Sequence, residues 1–243
     1  MMAANAANPK GYFEPQDIAD IHDELLASAG SVWHDWRPFP EAWFGSTEAI
    51  MYRARLAEAF RANYGEMALP VLKEPRMCRI LPLWRDVFGE LRVRPLFCFI
   101  DRPPLEVAKS LLSRDGSSID QGLRYYISNH LEAEHATRGE RRVFVSYEML
   151  LVDWRRLLDG LRTQLGVDLA CTAEQGRLID AFLEKGLRHE SAGMAADPED
   201  ALHALAITVH EAFNAMSMGQ SGNRITACLD AARAAFRALG DDS

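Results

Sequence analysis

Apolar residues recur at helical spacing along most of the chain, and three short apolar runs break that rhythm. From Pro15 to Ala29, Ile18, Ile21, Leu25 and Leu26 share one face, Pro15 suits a first helical position and Gly30 supplies a stop, so a helix is predicted there. Ser46 or Thr47 can cap a second helix to about Asn63, with Ile50, Met51, Leu56 and Phe60 expected inward and Gly65 near its end. Between these helices, residues 31–45 carry Trp33, Trp36, Pro38, Pro40 and Trp43 and read as an aromatic loop.

The three runs are Leu69 to Lys73, Arg94 to Ile100, and Arg142 to Ser146. Continuous apolar runs of strand length that alternate with helical patterns predict parallel strands with helices on both sheet faces. The intervening patterns predict helices over about Met77 to Phe88, Pro103 to Ser113 and Ile119 to Thr137. After Ser146 the periodicity is helical throughout, near Trp154 to Leu165, Ala173 to Glu184, Pro198 to Met216 and Arg224 to Leu239. The expected fold class is therefore α/β, with a mainly helical C-terminal third.

Charge narrows the partners: 27 basic against 35 acidic side chains give a net charge of −8, which repels nucleic acid and anionic membrane surfaces. Cys78, Cys98, Cys171 and Cys228 are too widely spaced for a zinc motif or a disulfide framework. No apolar stretch approaches the roughly 20 residues of a membrane span, and Pro9, Lys10, Glu14, Asp17 and Asp20 occupy the place of a signal-peptide core. A reducing, cytoplasmic compartment is expected, with no metal, no nucleic acid and no membrane among the partners. His203 and His210 share a helix face seven residues apart, too far for one metal, and read as polar or core histidines.

Candidate chemistry clusters where strands give way to helices. Lys73-Glu74-Pro75-Arg76 ends the first run in cations, and Phe99-Ile100-Asp101-Arg102-Pro103-Pro104-Leu105-Glu106-Val107-Ala108-Lys109-Ser110 repeats the design. With a proline opening the helix, Ser110 lies about two turns in, so a phosphate touching both Arg102 and Ser110 must lie beside the helix. Both motifs, in this order, resemble those of the bacterial sulfotransferase family, which uses 3′-phosphoadenosine-5′-phosphosulfate (PAPS). Val145-Ser146-Tyr147-Glu148-Met149-Leu150-Leu151, Leu165-Gly166, Leu187-Arg188-His189 and Asn8-Pro9-Lys10-Gly11-Tyr12-Phe13-Glu14 are similar to further family segments.

The resemblance implies a three-layer parallel sheet of the P-loop nucleotide-kinase and sulfotransferase type over residues 8–190; residues 191–243, read from periodicity alone, are expected as a helical extension packed on the same domain. It implies transfer of a sulfuryl group from PAPS to a hydroxyl of a small-molecule, carbohydrate or lipid-like acceptor, leaving 3′-phosphoadenosine 5′-phosphate (PAP). Arg102 and Ser110 would hold the 3′-phosphate, Arg76 would steady the donor or its loop, and Lys73 would stabilise the transferring group. For Glu14 two readings stay open: the base that takes the acceptor proton, or a carboxylate stabilising the helix that starts at Pro15. The family's loop for the 5′-phosphosulfate is expected before Asn8, where Met1 to Ala7 offer no glycine-rich turn, and no Walker motif occurs elsewhere. Hence a sheet truncated at its first strand is expected, with an exposed edge open to a homo-oligomer. The alternative is a non-catalytic sulfotransferase-like remnant that acts as a binding or interaction module.

Overall fold

The helix stop expected at Gly30 is made by the backbone. Helix α1 (Gln16–Ser28) closes with the Gly30 N–H on the Ala27 carbonyl and the Ser31 N–H on the Leu26 carbonyl, at 3.0 and 2.9 Å, an arrangement that needs the positive φ of Gly30. These features belong to a computed structural model that describes residues 1–2, 11–183 and 200–241. The expectations placed on Met1 to Ala7, on Asn8 to Lys10 and on Leu187-Arg188-His189 thus lie wholly or mainly outside the described residues.

A short 3₁₀ turn (Glu41–Gly45) lies within the aromatic loop and is followed by α2 (Thr47–Tyr64), where the Ser46 hydroxyl accepts the Ala49 N–H at 3.1 Å. The inward face of α2 differs from expectation. Ile50 and Met51 are exposed, whereas Ala49, Tyr52, Leu56 and Phe60 are buried. The reason is register: at about 100° per residue, positions four and seven before Leu56 share its face, and positions five and six do not. Helix α3 (Met77–Leu91) is kinked at Ile80, two residues before Pro82, whose ring and missing N–H interrupt the hydrogen-bond ladder.

Leu69 to Lys73 forms no strand. Pro70 sits inside the run without an N–H to offer a neighbouring strand, and Leu69 and Val71 are exposed. The other two runs are strands: β1 (Phe97–Asp101) and β2 (Arg142–Ser146) pair in parallel, from Phe97 opposite Arg142 to Asp101 opposite Ser146. Among the described residues these two make the whole sheet, so the chain is α/β but mostly helical.

The chain divides into two units, Met1–Pro95 with Ser128–Arg138, and Leu96–Ile127 with Gly139–Ser243. The first has a core of Ile18, Leu25, Leu26, Leu56, Ile80 and Trp84, extended by Phe60 and Phe88, whose rings meet that of Trp84. Trp43 and Phe39 from the aromatic loop are buried in the same core, whereas Trp33 is exposed. In the second unit, α4 (Pro104–Asp115) and α5 (Ile119–Ala136) connect β1 to β2, with α5 passing from Ser128 onward into the first unit. Helix α6 (Tyr147–Leu165) starts directly after β2 and breaks at Asp153, whose carboxylate accepts the Arg156 N–H at 3.1 Å and restarts the helix. The helix predicted from Trp154 is the part after that break. It is tied to α7 (Ala173–Phe182) by Asp180, whose carboxyl is held down to about 2 by hydrogen bonds from Arg155 and Trp154. Helix α8 (Ala201–Ser217) lies on the sheet, where Phe213 meets Phe99 and Phe144 edge-on while those two rings stack 4.9 Å apart. Helix α9 (Asn223–Asp241) packs on α8.

Candidate functional site

In the first unit, the irregular segment between Pro70 and Pro75 holds Lys73 at the surface. Its ammonium donates to the carboxylate of Glu14 and, at 3.4 Å, to the carbonyl of Tyr12. Glu14 is buried, with its side chain 5% exposed, whereas Lys73 remains 57% exposed. The two residues to which the resemblance gives the chemistry therefore lie together. Glu14 makes no capping bond to α1, whose N-cap is Pro15 without a side-chain acceptor.

Directly after Lys73 the chain turns inward. The indole Nε1–H of Trp84 donates to His22 Nε2 at 2.9 Å, and an indole can only donate, so His22 carries its proton on Nδ1 and donates it to Glu74. The other oxygen of Glu74 accepts from Arg76, which also grips Asp23 through Nε and Nη2 at 2.7 and 3.1 Å. Burial alone would push the Glu74 carboxyl up, but hydrogen bonds from His22 and Arg76 outweigh it and hold the group below the usual carboxylate range. Arg76, expected at the donor, thus spends its fork on Asp23 and Glu74. Nearby, Arg79 pins the aromatic loop, donating to the Ser31 hydroxyl and to the carbonyls of Val32 and Arg37 at 2.9–3.0 Å.

The second unit carries the Arg102 motif at the carboxyl end of β1, the position where ligands bind in open parallel sheets. Arg102 Nε donates to Glu106 Oε2 at 3.0 Å, and its guanidinium lies 5.3 Å from the centre of the Tyr147 ring. Nη1 and Nη2 of Arg102 have no hydrogen-bond partner among the described residues, so the fork is oriented with its outer nitrogens unused. Ser110 stands two turns along α4, half-buried. Arg102 and Ser110 therefore share one strand-to-helix element of the second unit, whereas Lys73, Glu14 and Arg76 belong to the first.

Beside Arg102 lies an array in which the sequence singles out only His210, as a polar or core histidine. Asp101, 3% exposed, accepts the Tyr126 hydroxyl on Oδ1 and meets His210 Nδ1 with Oδ2, both at 2.7 Å. The Asp101 hydrogen bond is the main influence raising His210 above its ordinary value, with Glu106 and Glu211 adding to it against burial. Burial, then the Asp101 charge, pushes the Tyr126 phenol far up, so it stays a donor. The sequence held a signal for both histidines, though only His210 drew a reading: His22 lies four residues after Ile18 and His210 three before Phe213, each on a buried apolar stripe. A polar ring in such a stripe requires a polar partner.

Among the described residues no group of three or more His, Cys, Asp or Glu is placed to hold a metal ion, and no helix is long and apolar enough to cross a membrane. No protein-family model, curated protein or solved structure matches the chain.

Proposed function

We propose that the chain is a sulfotransferase-family protein that binds PAPS and transfers its sulfuryl group to an acceptor hydroxyl, on a three-layer architecture of the P-loop type to which the β1–β2 pair would contribute. The observation that carries this reading is Arg102: a guanidinium at the carboxyl end of a parallel strand, fixed by Glu106 and Tyr147 through its inner nitrogen and its face, with its outer nitrogens unengaged among the described residues. That is a geometry suited to a phosphate, which takes two parallel N–H donors. Ser110 adds a neutral donor farther along α4. In the reaction the acceptor oxygen forms a bond to sulfur as the bond from sulfur to the 5′-phosphate oxygen breaks, and PAP leaves with the electron pair. Such a transfer depends on positioning and on charge placed at the moving group and the leaving phosphate. The resemblance gives that charge to Lys73 and the acceptor's proton to Glu14, which pairs with Lys73 in the first unit.

One observation favours the second reading, a non-catalytic binding module: Arg76 is neutralised by Asp23 and Glu74, leaving one fewer cation for the donor. Calorimetric titration of the chain with PAP, comparing wild type with Arg102→Ala, tests the shared half of both readings. Binding lost in the variant supports the phosphate site. No binding by folded wild-type protein overturns it. Release of PAP from PAPS in the presence of mixed hydroxyl acceptors, lost in Lys73→Ala with PAP affinity intact, then separates enzyme from module.

A further inference from the structure

We propose that His210 is a third ligand of the phosphate bound at Arg102 and Ser110, donating from Nε2. This rests on the donor reading above and adds to it a residue from the C-terminal helices. Its ground is geometric. Nδ1 of His210 is fixed by Asp101, itself held by Tyr126, so the ring cannot turn without breaking a buried hydrogen bond. Nε2, on the far side of the ring, has no partner among the described residues, and the side chain is 28% exposed. A half-exposed imidazole oriented through one nitrogen by a buried carboxylate presents the other to a ligand, the same logic by which outer partners orient histidines at metal and catalytic sites.

The neighbourhood links this nitrogen to Arg102. Asp101 and Arg102 are consecutive residues at the end of β1, and Glu106, which binds Arg102 Nε, also acts electrostatically on His210. Helix α8 packs against β1, β2 and α4, among them the strand and the helix that carry the phosphate motif. The charged groups acting on the ring are Asp101 from β1, Glu106 from α4 and Glu211 from its own helix, all acidic, and Glu106 is already paired with Arg102. They favour the imidazolium, whose Nε2–H is a charge-assisted donor to phosphate oxygen. The ligand class is a terminal phosphate dianion, here the 3′-phosphate of PAP. Protonation would make its binding depend on pH in a range where the phosphate itself, with a second pKa of about 6, is already mostly a dianion.

The experiment measures PAP affinity by calorimetry from pH 6.5 to 9 for wild type, His210→Gln and Arg102→Ala, with adenosine 5′-monophosphate as the ligand lacking a 3′-phosphate. In parallel, the His210 imidazole resonances of wild type are followed by NMR on adding PAP, which needs no variant. The expected result is PAP affinity that falls about tenfold as pH rises in wild type, a flat and weaker profile in His210→Gln, no pH dependence for adenosine 5′-monophosphate, and an imidazole titration moved upward by PAP. Two results overturn the inference, each differently. Arg102-dependent PAP binding with the same pH profile in wild type and His210→Gln, and an unmoved imidazole, removes His210 and leaves the donor reading standing. No PAP binding by folded wild type at any pH removes the donor reading and His210 with it.

Discussion

Two glutamates, sixty residues apart, each pair with a cation of the Lys73-to-Arg76 segment, and burial makes them unlike. Glu14 meets a lysine that is mostly in water, so the pair is worth at most about 1 kcal/mol to folding. Glu74 is wholly buried between His22 and Arg76, and removing one member of such a network strands the others' polarity in the core, at a cost of about 3–5 kcal/mol. Urea denaturation of Glu74→Ala and Lys73→Ala should therefore differ sharply: a large fall in midpoint for the first, a small change for the second. Comparable losses would mean that the His22 network adds little. The sequence displayed Lys73-Glu74-Pro75-Arg76 as a run of charges and showed that they matter, but not which faced inward, because that depends on α1 supplying His22 and Asp23 from fifty residues away.

At the scale of elements, two glycines inside helices have opposite expectations. A Cβ on Gly122 of α5 would stand 2.6 Å from Cα and 2.8 Å from Cβ of Ala108 on α4, so the two helices must move apart. Gly122→Ala should cost about 1–3 kcal/mol as an overpacked contact. A Cβ on Gly89 of α3 meets nothing within 4 Å, so Gly89→Ala should stabilise by about 0.5–1 kcal/mol through helix propensity alone. Thermal unfolding followed by circular dichroism checks both signs, and a neutral Gly122→Ala would show that the crossing has slack. Helices were the legible part of this fold, since Ser46, Gly30 and Gly166 mark their ends and a 3.6-residue period needs no partner to be recognised. Strands were legible only where a partner exists. Leu69 to Lys73 is a five-residue run with three aliphatic residues, close in pattern to Arg142 to Ser146, yet Pro70 denies it a ladder, whereas Phe144 finds Phe99 to stack on. The Arg102 motif was readable because its residues are local, and the His210 array was not, because Asp101 and His210 are joined only once α8 lies on the sheet.

For the molecule as a whole, the same couplings give the two units opposite responses to pH. Glu74, in the first unit, has a folded-state pKa below its ordinary 4.5; its contribution is therefore complete above that value and is lost as pH falls through the depressed one. His210, in the second, is raised above 6.5, so its contribution is complete below 6.5 and is lost as pH climbs through the raised value. Four of the five tryptophans, Trp33, Trp36, Trp43 and Trp84, lie in the first unit, so intrinsic fluorescence reports mainly on it. Urea midpoints read by fluorescence should fall between pH 5 and pH 3, and that fall should flatten in Glu74→Gln. Midpoints read from NMR signals of the second unit should instead drop from pH 6.5 upward, and His210→Gln should remove the drop. A single transition with one pH profile for both probes would mean that the units unfold as one and that neither coupling is local. Separate profiles, each erased by its own substitution, would place the acid-sensitive network around Glu74 and the alkali-sensitive array around His210 in independently responding units of the chain.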